Sequence, residues 1–349
     1  MDPRLSMRLG HAIESGHLSS GPIGTELEEK LAALLEIPHV TLTTSGSTAL
    51  LILYRILGLN ENTEAILPTR TFQATANAAT FLRAKVVPTE VDDRGLMSAR
   101  HLEAAITSKT KVVVPVHLNG RACDMRELQR VAKSRGLFVI EDAAQALFSR
   151  GESGFCGTVA DAGIFSLGVT KFLTSAQGGA IVTRNSGLHR EIAKYLRHAV
   201  TFEPRERYSE FGFNFRLPDL SSALALAQLT ELESSKERFL DVERRYRELL
   251  RGRTDLGLIE CDLERGELPV WTEVLCPRRD DLVRHLDSLG IEARPFSPSL
   301  HECDYLGSEP NARFPNASLF AREGLILPCG PELEAEDFER VRVGLETFV

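Results

Sequence analysis

Residues 163–171 read Gly163-Ile164-Phe165-Ser166-Leu167-Gly168-Val169-Thr170-Lys171, so a short apolar run passes directly into a loop that carries a lysine. The chain continues with Ser175-Ala176-Gln177-Gly178-Gly179 and a second apolar run. Short apolar runs bounded by glycines are typical of strands buried inside a sheet. Most lysines are solvated surface residues, but a lysine at the end of such a loop lies at the rim of the sheet. We therefore predict a buried strand that presents Lys171 at a sheet edge.

Six further runs of apolar and β-branched residues surround this strand. Together with it they give seven predicted strands: Val40–Thr43, Ala65–Leu67, Lys85–Pro88, Lys111–Val116, Leu137–Ile140, Gly163–Leu167 and Ala180–Thr183. Between several of them lie segments with a helical pattern, namely Thr48–Leu57, Ala74–Leu82 and Met125–Ser134. Because parallel strands require such crossovers, the predicted fold class is α/β with a seven-stranded, mostly parallel sheet.

The pattern changes in the second half of the chain. Residues Leu217–Leu250 are predicted as long helices with a charged, solvated face. Beyond Gly252 we expect an apolar run at Pro269–Leu275, a helix at Asp280–Leu289, a strand at Ile291–Arg294 and a helix at Glu334–Phe348. A chain of 349 residues is long enough for two domains. We predict a large α/β domain over residues 1–235 and a smaller α+β domain over residues 236–349.

Composition and charge restrict the possible functions. Hydrophobic residues make up 43% and charged residues 26% of the chain, and no apolar run is long enough to cross a bilayer. The formal net charge of −8 argues against a general nucleic-acid partner, because phosphate backbones require a basic surface. Since the first ten residues lack the apolar core of a secretory signal, we expect a cytoplasmic protein with no membrane partner.

Two other site classes find no support in the sequence. The six cysteines contain no Cys-x-x-Cys pair, which argues against a disulfide framework and a zinc site. His117 and His301 have no second ligand at metal-site spacing, so we interpret them as buried or rim histidines and predict no metal. The three-glycine fingerprint of dinucleotide-binding folds is also absent, which argues against an NAD-dependent dehydrogenase.

Two further segments suit a phosphorylated ligand. Thr43–Leu50 follows a strand and opens a helix, where hydroxyls and free N–H groups at a positive helix end bind phosphate. An ordinary helix cap is the alternative interpretation. Phe138–Gln145 has an acidic pair at the carboxyl end of a strand, where ligands sit in open α/β sheets. Each of these segments is weak evidence alone, and their combination with the lysine loop is what is informative.

In combination, the three segments resemble the fold-type-I pyridoxal-phosphate enzymes, and specifically the DegT/DnrJ/EryC1/StrS family of aminotransferases, which act mainly on nucleotide-linked keto sugars. The resemblance extends over nearly the whole chain, and its further motifs are Pro68–Thr75, Pro115–His117, Gly212–Arg216, Pro298–His301 and Leu327-Pro328. Two positions depart from the family, because Gln177 replaces a frequent glutamate and Leu167 a frequent phenylalanine. Both lie near the lysine loop and concern the fit of the substrate.

The resemblance implies a role for each matching residue. Lys171 forms a Schiff base with pyridoxal 5′-phosphate and moves the proton between substrate and cofactor, while Asp142 keeps the pyridine nitrogen protonated. Gln145 donates to the phenolate oxygen of the cofactor, and Phe72 stacks on its ring. The phosphate cradle is matched by Ser47, Thr48, Ala49 and Ser166. Asn214 matches a residue that reaches the phosphate from the neighbouring subunit, which implies a homodimer with shared active sites.

The implied activity is a transaminase that takes an amino group from an amino acid, expected to be glutamate, and passes it to a nucleotide-linked keto sugar. Two alternatives stay open. Relatives that dehydrate sugars replace the lysine with histidine, so Lys171 argues against that chemistry. A sensor would bind the cofactor without turnover, since a fold does not guarantee activity, and the intact set Asp142, Gln145, Ser166 and Lys171 argues against it.

Three arginines are candidates for binding the acceptor. Arg70, Arg216 or Arg294 could meet the two phosphates of a nucleotide sugar, but each is more often a structural or surface charge. The identity of the sugar depends on the loops at residues 10–25, 200–216 and 295–310.

Overall fold

The computed structural model describes residues 3–14, 16, 18–200 and 210–348. Of the expected acceptor loops, residues 15, 17 and 201–209 lie outside these ranges, as do residues 1, 2 and 349. The helices are α1 Pro3–Glu14, α2 Pro22–Leu34, α3 Gly46–Ile56, α4 Ala74–Phe81, α5 Ala99–Ala105, α6 Met125–Ser134, α7 Ser186–Tyr195, α8 Asp219–Leu229, α9 Leu232–Leu250, α10 Arg279–Ser288, α11 Pro315–Glu323 and α12 Ala335–Glu346. No helix in these ranges is long and apolar enough to span a membrane.

The strands form one large sheet, one smaller sheet and a short hairpin. They are β1 His39–Thr43, β2 Glu64–Pro68, β3 Lys85–Thr89, β4 Thr110–Val113, β5 Phe138–Asp142, β6 Arg150–Gly151, β7 Gly154–Phe155, β8 Ala162–Ser166, β9 Gly179–Thr183, β10 Gly257–Leu258, β11 Thr272–Leu275, β12 Arg294–Pro295 and β13 Gly324–Leu327. The large sheet has the order β1-β9-β8-β5-β4-β2-β3.

All seven predicted strands belong to the large sheet. Four of its strand pairs are parallel, and only β9 runs antiparallel to its two neighbours, β1 and β8. The sheet is buried on both faces because successive side chains contribute to different hydrophobic clusters, as Ile181 and Val182 do. The prediction of an α/β fold with a mostly parallel seven-stranded sheet is therefore confirmed.

The six strands that run in one direction bring their carboxyl ends to the same edge of the sheet. At this edge β5 ends at Asp142 and β8 ends at Ser166, while β1 leads through Ser45 into α3. The α3 helix begins with a reciprocal cap, since the Ser45 hydroxyl accepts from the Thr48 N–H and the Thr48 hydroxyl accepts from the Ser45 N–H. The edge therefore combines strand ends with the N-terminus of a helix.

The C-terminal part forms a four-stranded antiparallel sheet with the order β10-β11-β13-β12. The predicted strand at Ile291–Arg294 was wrong in its position, because Ile291 and Ala293 fill the core ahead of the strand and only Arg294–Pro295 pair with β13. The long helical region at Leu217–Leu250 is two helices, α8 and α9. The domain boundary near residue 235 stays a prediction, and α9 passes through it.

Buried ion pairs join the large sheet to the C-terminal segment. Glu273 on β11 lies 2.5 Å from an Arg121 guanidinium nitrogen and 3.3 Å from one of Arg70. Glu267 lies 2.5 Å from Arg94 and also accepts from the backbone N–H of Ala122. We call the group Arg70, Arg121 and Glu273 the buried seam.

Candidate active site

Lys171 lies in the loop after β8 and is half-buried. Its Nζ stands 5.1 Å from the centre of the Trp271 ring, and it makes no hydrogen bond with any residue in the described ranges. Burial lowers the pKa of this amine, and the charge of Asp142 opposes that shift. An amine that is partly desolvated and not hydrogen-bonded is suited to act as a nucleophile or as a base.

Asp142 is the last residue of β5, and only 4% of it is exposed. One carboxylate oxygen accepts from the Thr75 hydroxyl at 2.8 Å and the other from the Ala144 N–H at 3.1 Å. Burial raises the pKa of Asp142, whereas the bond from Thr75 and the nearby Lys171 oppose the rise. The carboxylate is thus fixed in orientation next to the lysine, with capacity to accept a further donor.

The segment after β2 supports Asp142 from one side. The Thr71 and Thr75 hydroxyls are 3.0 Å apart, and the Tyr54 hydroxyl donates to the Thr75 carbonyl at 3.1 Å. Burial raises the pKa of Tyr54 well above its usual range, and the neighbouring Asp142 adds to the effect. Phe72 belongs to the same turn and is 58% exposed, so its ring presents a free apolar face.

The predicted phosphate residues lie at the start of α3. Ser47 is exposed, Thr48 is half-buried and Ala49 is buried in the core. Ser166 packs against this helix end, because a Cβ added at Gly46 would lie 3.3 Å from the Ser166 Cβ. At Gly179 an added Cβ would lie only 2.4 Å from the carbonyl carbon of Ser45. Glycine at this position lets the helix end approach the sheet, which leaves the first N–H groups of α3 beside Ser166.

Gln145 and Asn214 occupy different environments. The Gln145 side-chain oxygen accepts from the backbone N–H of Asn119 at 2.9 Å, so its amide nitrogen is the group left to donate. Asn214 is exposed, and its side-chain oxygen accepts from the Arg216 Nε at 2.9 Å. The next residue, Phe215, accepts from the Thr44 N–H at 2.9 Å, which brings this segment alongside the start of α3.

The other residues considered from sequence have structural partners. Arg70 is buried in the seam, its guanidinium lies over the Phe296 and Phe320 rings, and burial lowers its pKa to about 10. It is therefore unavailable to an acceptor phosphate. The Arg294 guanidinium is exposed and paired with Glu292. His117 is buried 2.8 Å from Glu141, and His301 is buried 2.8 Å from Thr69.

A cavity of about 960 Å³ opens on one side of Lys171. The lysine loop and Trp271 line it, together with residues of α8, α9, β13 and α12. Asp142, Gln145 and the start of α3 do not belong to its wall. The lysine therefore stands between a polar sheet edge and a large cavity that reaches the C-terminal part.

Sequence reasoning missed three residues of this site: Thr75, Asn119 and Trp271. Each of them contacts a site residue that is far away in the sequence, and patterns within a single sequence do not reveal such contacts. Two signals were available, since Trp271 is the only tryptophan of the chain and Asn119-Gly120 is a pair typical of backbone with positive φ.

The chain is similar to known proteins over nearly its whole length. Residues 2–346 match the model of the DegT/DnrJ/EryC1/StrS aminotransferase family. The dTDP-3-amino-3,4,6-trideoxy-alpha-D-glucose transaminase of Streptomyces venezuelae is 33% identical over 342 residues, covering 95% of this chain and 89% of that protein. The GDP-perosamine synthase of Caulobacter vibrioides is 30% identical over 340 residues, covering 94% of this chain and 90% of that protein.

The fold is also similar to that of solved structures from this family. The crystal structure of a DegT DnrJ EryC1 StrS aminotransferase from Brucella abortus matches with a TM-score of 0.93 at 27% identity, covering 99% of this chain and 95% of that one. The type of fold expected from the sequence resemblance is thereby confirmed.

Proposed function

The chain belongs to the DegT/DnrJ/EryC1/StrS aminotransferase family, and on this basis we propose that it transfers an amino group from glutamate to a nucleotide-linked keto sugar. Two relatives support the acceptor class, because one is named for a dTDP-linked amino sugar and the other for GDP-perosamine. Since their nucleotides differ, the proposal covers the class of acceptor and leaves its base open.

The enzyme depends on pyridoxal 5′-phosphate, as its family does. This cofactor, when bound, supplies an electron sink for the negative charge that develops at the substrate carbon. The residues at the sheet edge suit it: the start of α3 and Ser166 would hold the phosphate, Asp142 would face the ring nitrogen, and Gln145 would donate to the ring oxygen. Phe72 would cover one face of the ring.

The observation that carries the proposal is the state of Lys171. Its amine has a lowered pKa, makes no hydrogen bond with a described residue and lies within the electrostatic reach of Asp142. An amine of this kind can take a proton from the substrate carbon and return it at another atom. We assign the proton transfer of both half-reactions to Lys171.

We assign the second role to Asp142. Its carboxylate is held by Thr75 and by the Ala144 N–H, so it does not rotate away from the sheet edge. In this position it would hold the ring nitrogen in its protonated form through a charge-assisted hydrogen bond, which is roughly twice as strong as a neutral one. Removing the charge should therefore impair proton abstraction more than cofactor docking.

We further propose a homodimer in which Asn214 reaches the phosphate site of the partner. Asn214 is exposed, so its side chain is accessible to a second subunit, and this supports the role. Mixed dimers test it, with Asn214→Ala in one chain and Lys171→Ala in the other. If Asn214 acts across the interface, one of the two sites keeps both intact residues and activity returns. Complete inactivity of the mixed dimer would contradict sharing.

A sensor that binds the cofactor without turnover is the second candidate. The fold is compatible with a sensor, because a fold does not by itself guarantee activity. The presence of both the Lys171 amine and the Asp142 carboxylate favours an enzyme. Incubation with ¹⁵N-glutamate and candidate nucleotide-linked keto sugars separates the two. The proposal expects 2-oxoglutarate together with a ¹⁵N-labelled amino sugar. Bound cofactor that reacts with no amino acid would contradict it.

A further inference from the structure

Asn119 contacts neither Lys171 nor the start of α3, and it has no direct part in the chemistry proposed for Lys171 and Asp142. We propose that Asn119 is a positioning residue that fixes Gln145 and Trp271 on two sides of the site through one buried set of hydrogen bonds. The proposal rests on the function given above, because Gln145 and Lys171 derive their roles from it.

The backbone of Asn119 is held in an unusual conformation. Its φ is 51°, in the left-handed region that Asn tolerates better than most residues, and only 1% of it is exposed. The following residue, Gly120, also has a positive φ, and a Cβ there would lie 2.0 Å from the Leu268 carbonyl oxygen. The turn therefore presses directly against the segment that leads to Trp271.

The side chain of Asn119 holds that segment by three hydrogen bonds. Its amide nitrogen donates to the Trp271 carbonyl at 2.8 Å. Its amide oxygen accepts from the N–H of Val270 at 3.0 Å and from that of Trp271 at 2.8 Å. The Asn119 side chain thus bonds both the N–H and the carbonyl of Trp271. These bonds fix the backbone position from which the indole ring extends.

The backbone N–H of Asn119 has a separate function. It donates to the Gln145 side-chain oxygen at 2.9 Å. Because the amide oxygen of Gln145 is occupied, its NH₂ group is directed as a donor, which is what a ring oxygen of the cofactor requires. Asn119 thereby sets the orientation of Gln145 through its backbone and the position of Trp271 through its side chain.

The consequence for catalysis passes through Trp271. Its ring lies 5.1 Å from the Lys171 Nζ and forms part of the wall of the 960 Å³ cavity. A ring at this distance restricts the positions that the lysine can take and attracts its charged form. Loosening the segment should leave the lysine present but poorly oriented, and small misplacements of reacting groups can lower rates by as much as about 10²-fold.

The substitution Asn119→Gly separates the two functions. Glycine accepts the positive φ and keeps the N–H that orients Gln145, while the three side-chain bonds to the Trp271 segment are lost. Arg83→Gly is the matched control, since Arg83 also has a positive φ of 65° and is exposed away from the site. Because Trp271 is the only tryptophan, its fluorescence reports this segment alone.

We expect Asn119→Gly to shift the emission of Trp271 to the red and to raise its quenching by acrylamide, with no change in Arg83→Gly. In the holoenzyme, kcat should fall about 10-fold or more with a smaller change in KM for glutamate. Combined with Trp271→Ala, the Asn119→Gly substitution should cost little more than Trp271→Ala alone, because both act through one ring.

Unchanged quenching in folded Asn119→Gly protein would overturn the inference, as would losses that simply add in the double variant. If Asn119→Gly fails to fold, Trp271→Ala must by itself reproduce the fall in kcat, and normal turnover of that variant would overturn the inference as well. The quenching experiment requires no cofactor. A wild-type chain that binds no pyridoxal phosphate would therefore defeat the proposed function while the result on Trp271 still stands.

Discussion

The buried seam and the edge of the sheet around Lys171 both hold charged groups away from water, but the two regions differ in the partners that these groups have. In the seam, Glu273 is paired with two guanidinium groups, Arg70 and Arg121. At the sheet edge, the Lys171 amine makes no hydrogen bond in the described part of the chain, although Asp142 is near enough to influence its pKa. In the seam the charge of Glu273 is countered within the chain, although Arg70 Nη1, Arg121 Nε and Arg121 Nη1 are buried without a hydrogen-bond partner among the described residues. At the sheet edge the Lys171 amine retains its bonding capacity for a ligand.

The pKa shifts follow the same division. Burial raises the pKa of both carboxylates, but in Glu273 the two arginines outweigh burial and the net shift is downward. In Asp142 burial prevails over Thr75 and Lys171, and the net shift is upward. We therefore interpret a buried carboxylate between two buried counter-charges as structural, and a buried carboxylate without such counter-charges as one that serves chemistry.

Removing the lysine should have the largest effect. We expect Lys171→Ala to lower turnover by roughly 10⁴-fold or more, because it removes both a nucleophile and a proton carrier. The stability of the protein should change little, since the amine makes no hydrogen bond to a residue that the structure describes. Activity with glutamate and thermal unfolding measure the two quantities. Turnover near the wild-type rate would show that Lys171 has no part in the chemistry.

Neutralising Asp142 should have the next largest effect. Asp142→Asn preserves shape and can still bond Thr75, but it removes the charge that would face the ring nitrogen. We expect kcat to fall about 10²- to 10³-fold while cofactor binding is weakened less. The same substitution should lower the pKa of Lys171, since the charge of Asp142 raises it. Competitive labelling of the amine in cofactor-free protein over a pH range measures that shift.

A substitution in the seam should affect stability instead of chemistry. Glu273→Gln leaves two buried guanidinium groups without their counter-charge, and we expect a loss of about 3–5 kcal/mol of unfolding free energy. Because the pKa of Glu273 is lowered by folding, its contribution is present above the unfolded-state pKa and is lost as pH falls through the folded one. The difference in unfolding free energy between Glu273→Gln and the wild type should therefore become smaller as the pH is lowered.

The control for the seam is Glu292→Gln, which breaks the exposed pair with Arg294. We expect a much smaller loss of unfolding free energy, because water screens an exposed ion pair. Denaturant unfolding compares the two variants. Similar losses at both positions would remove the distinction between buried and exposed pairing on which the comparison depends.

The smallest expected effect concerns the support of Asp142. Thr75→Val removes the hydroxyl that donates to this carboxylate and lowers its pKa, at a cost of about 1 kcal/mol. The pKa of Asp142 should rise, so the acid limb of the pH–activity profile should move to higher pH. Thr80→Val is a matched control on α4, since the Thr80 hydroxyl donates to the Ala76 carbonyl and, within the described ranges, has no contact with Asp142. Identical profiles in the two variants would contradict a role for Thr75.

Local patterns were sufficient to predict most of the fold. Each strand of the large sheet is a short apolar run, and α6 was predicted with the bounds that it has, Met125–Ser134. More than one helix was predicted over Leu217–Leu250, but the position of the break at Thr230 and Glu231 was not, because both residues fit a solvated helix face. The position of β12 depends on pairing with β13, which is a contact between distant segments.

The site was predictable to a smaller extent, for the same reason. Lys171, Asp142 and the start of α3 lie where strands end, and that position can be recognised from sequence. The contact of Trp271 with Lys171 joins residues one hundred positions apart, and Asn119 acts through hydrogen bonds to Gln145 and Trp271 that only the folded chain reveals. Arg70 is not available to bind the acceptor phosphates, because it pairs with Glu273 inside the protein.

The most direct test of the account is to find which residue carries the cofactor. Borohydride reduction of the purified holoenzyme, followed by peptide mass spectrometry, fixes and locates any covalent link between a lysine and pyridoxal phosphate. The account predicts the adduct on Lys171, and predicts its loss when excess glutamate is added before reduction. An adduct on another lysine, or none on Lys171, would contradict the central claim.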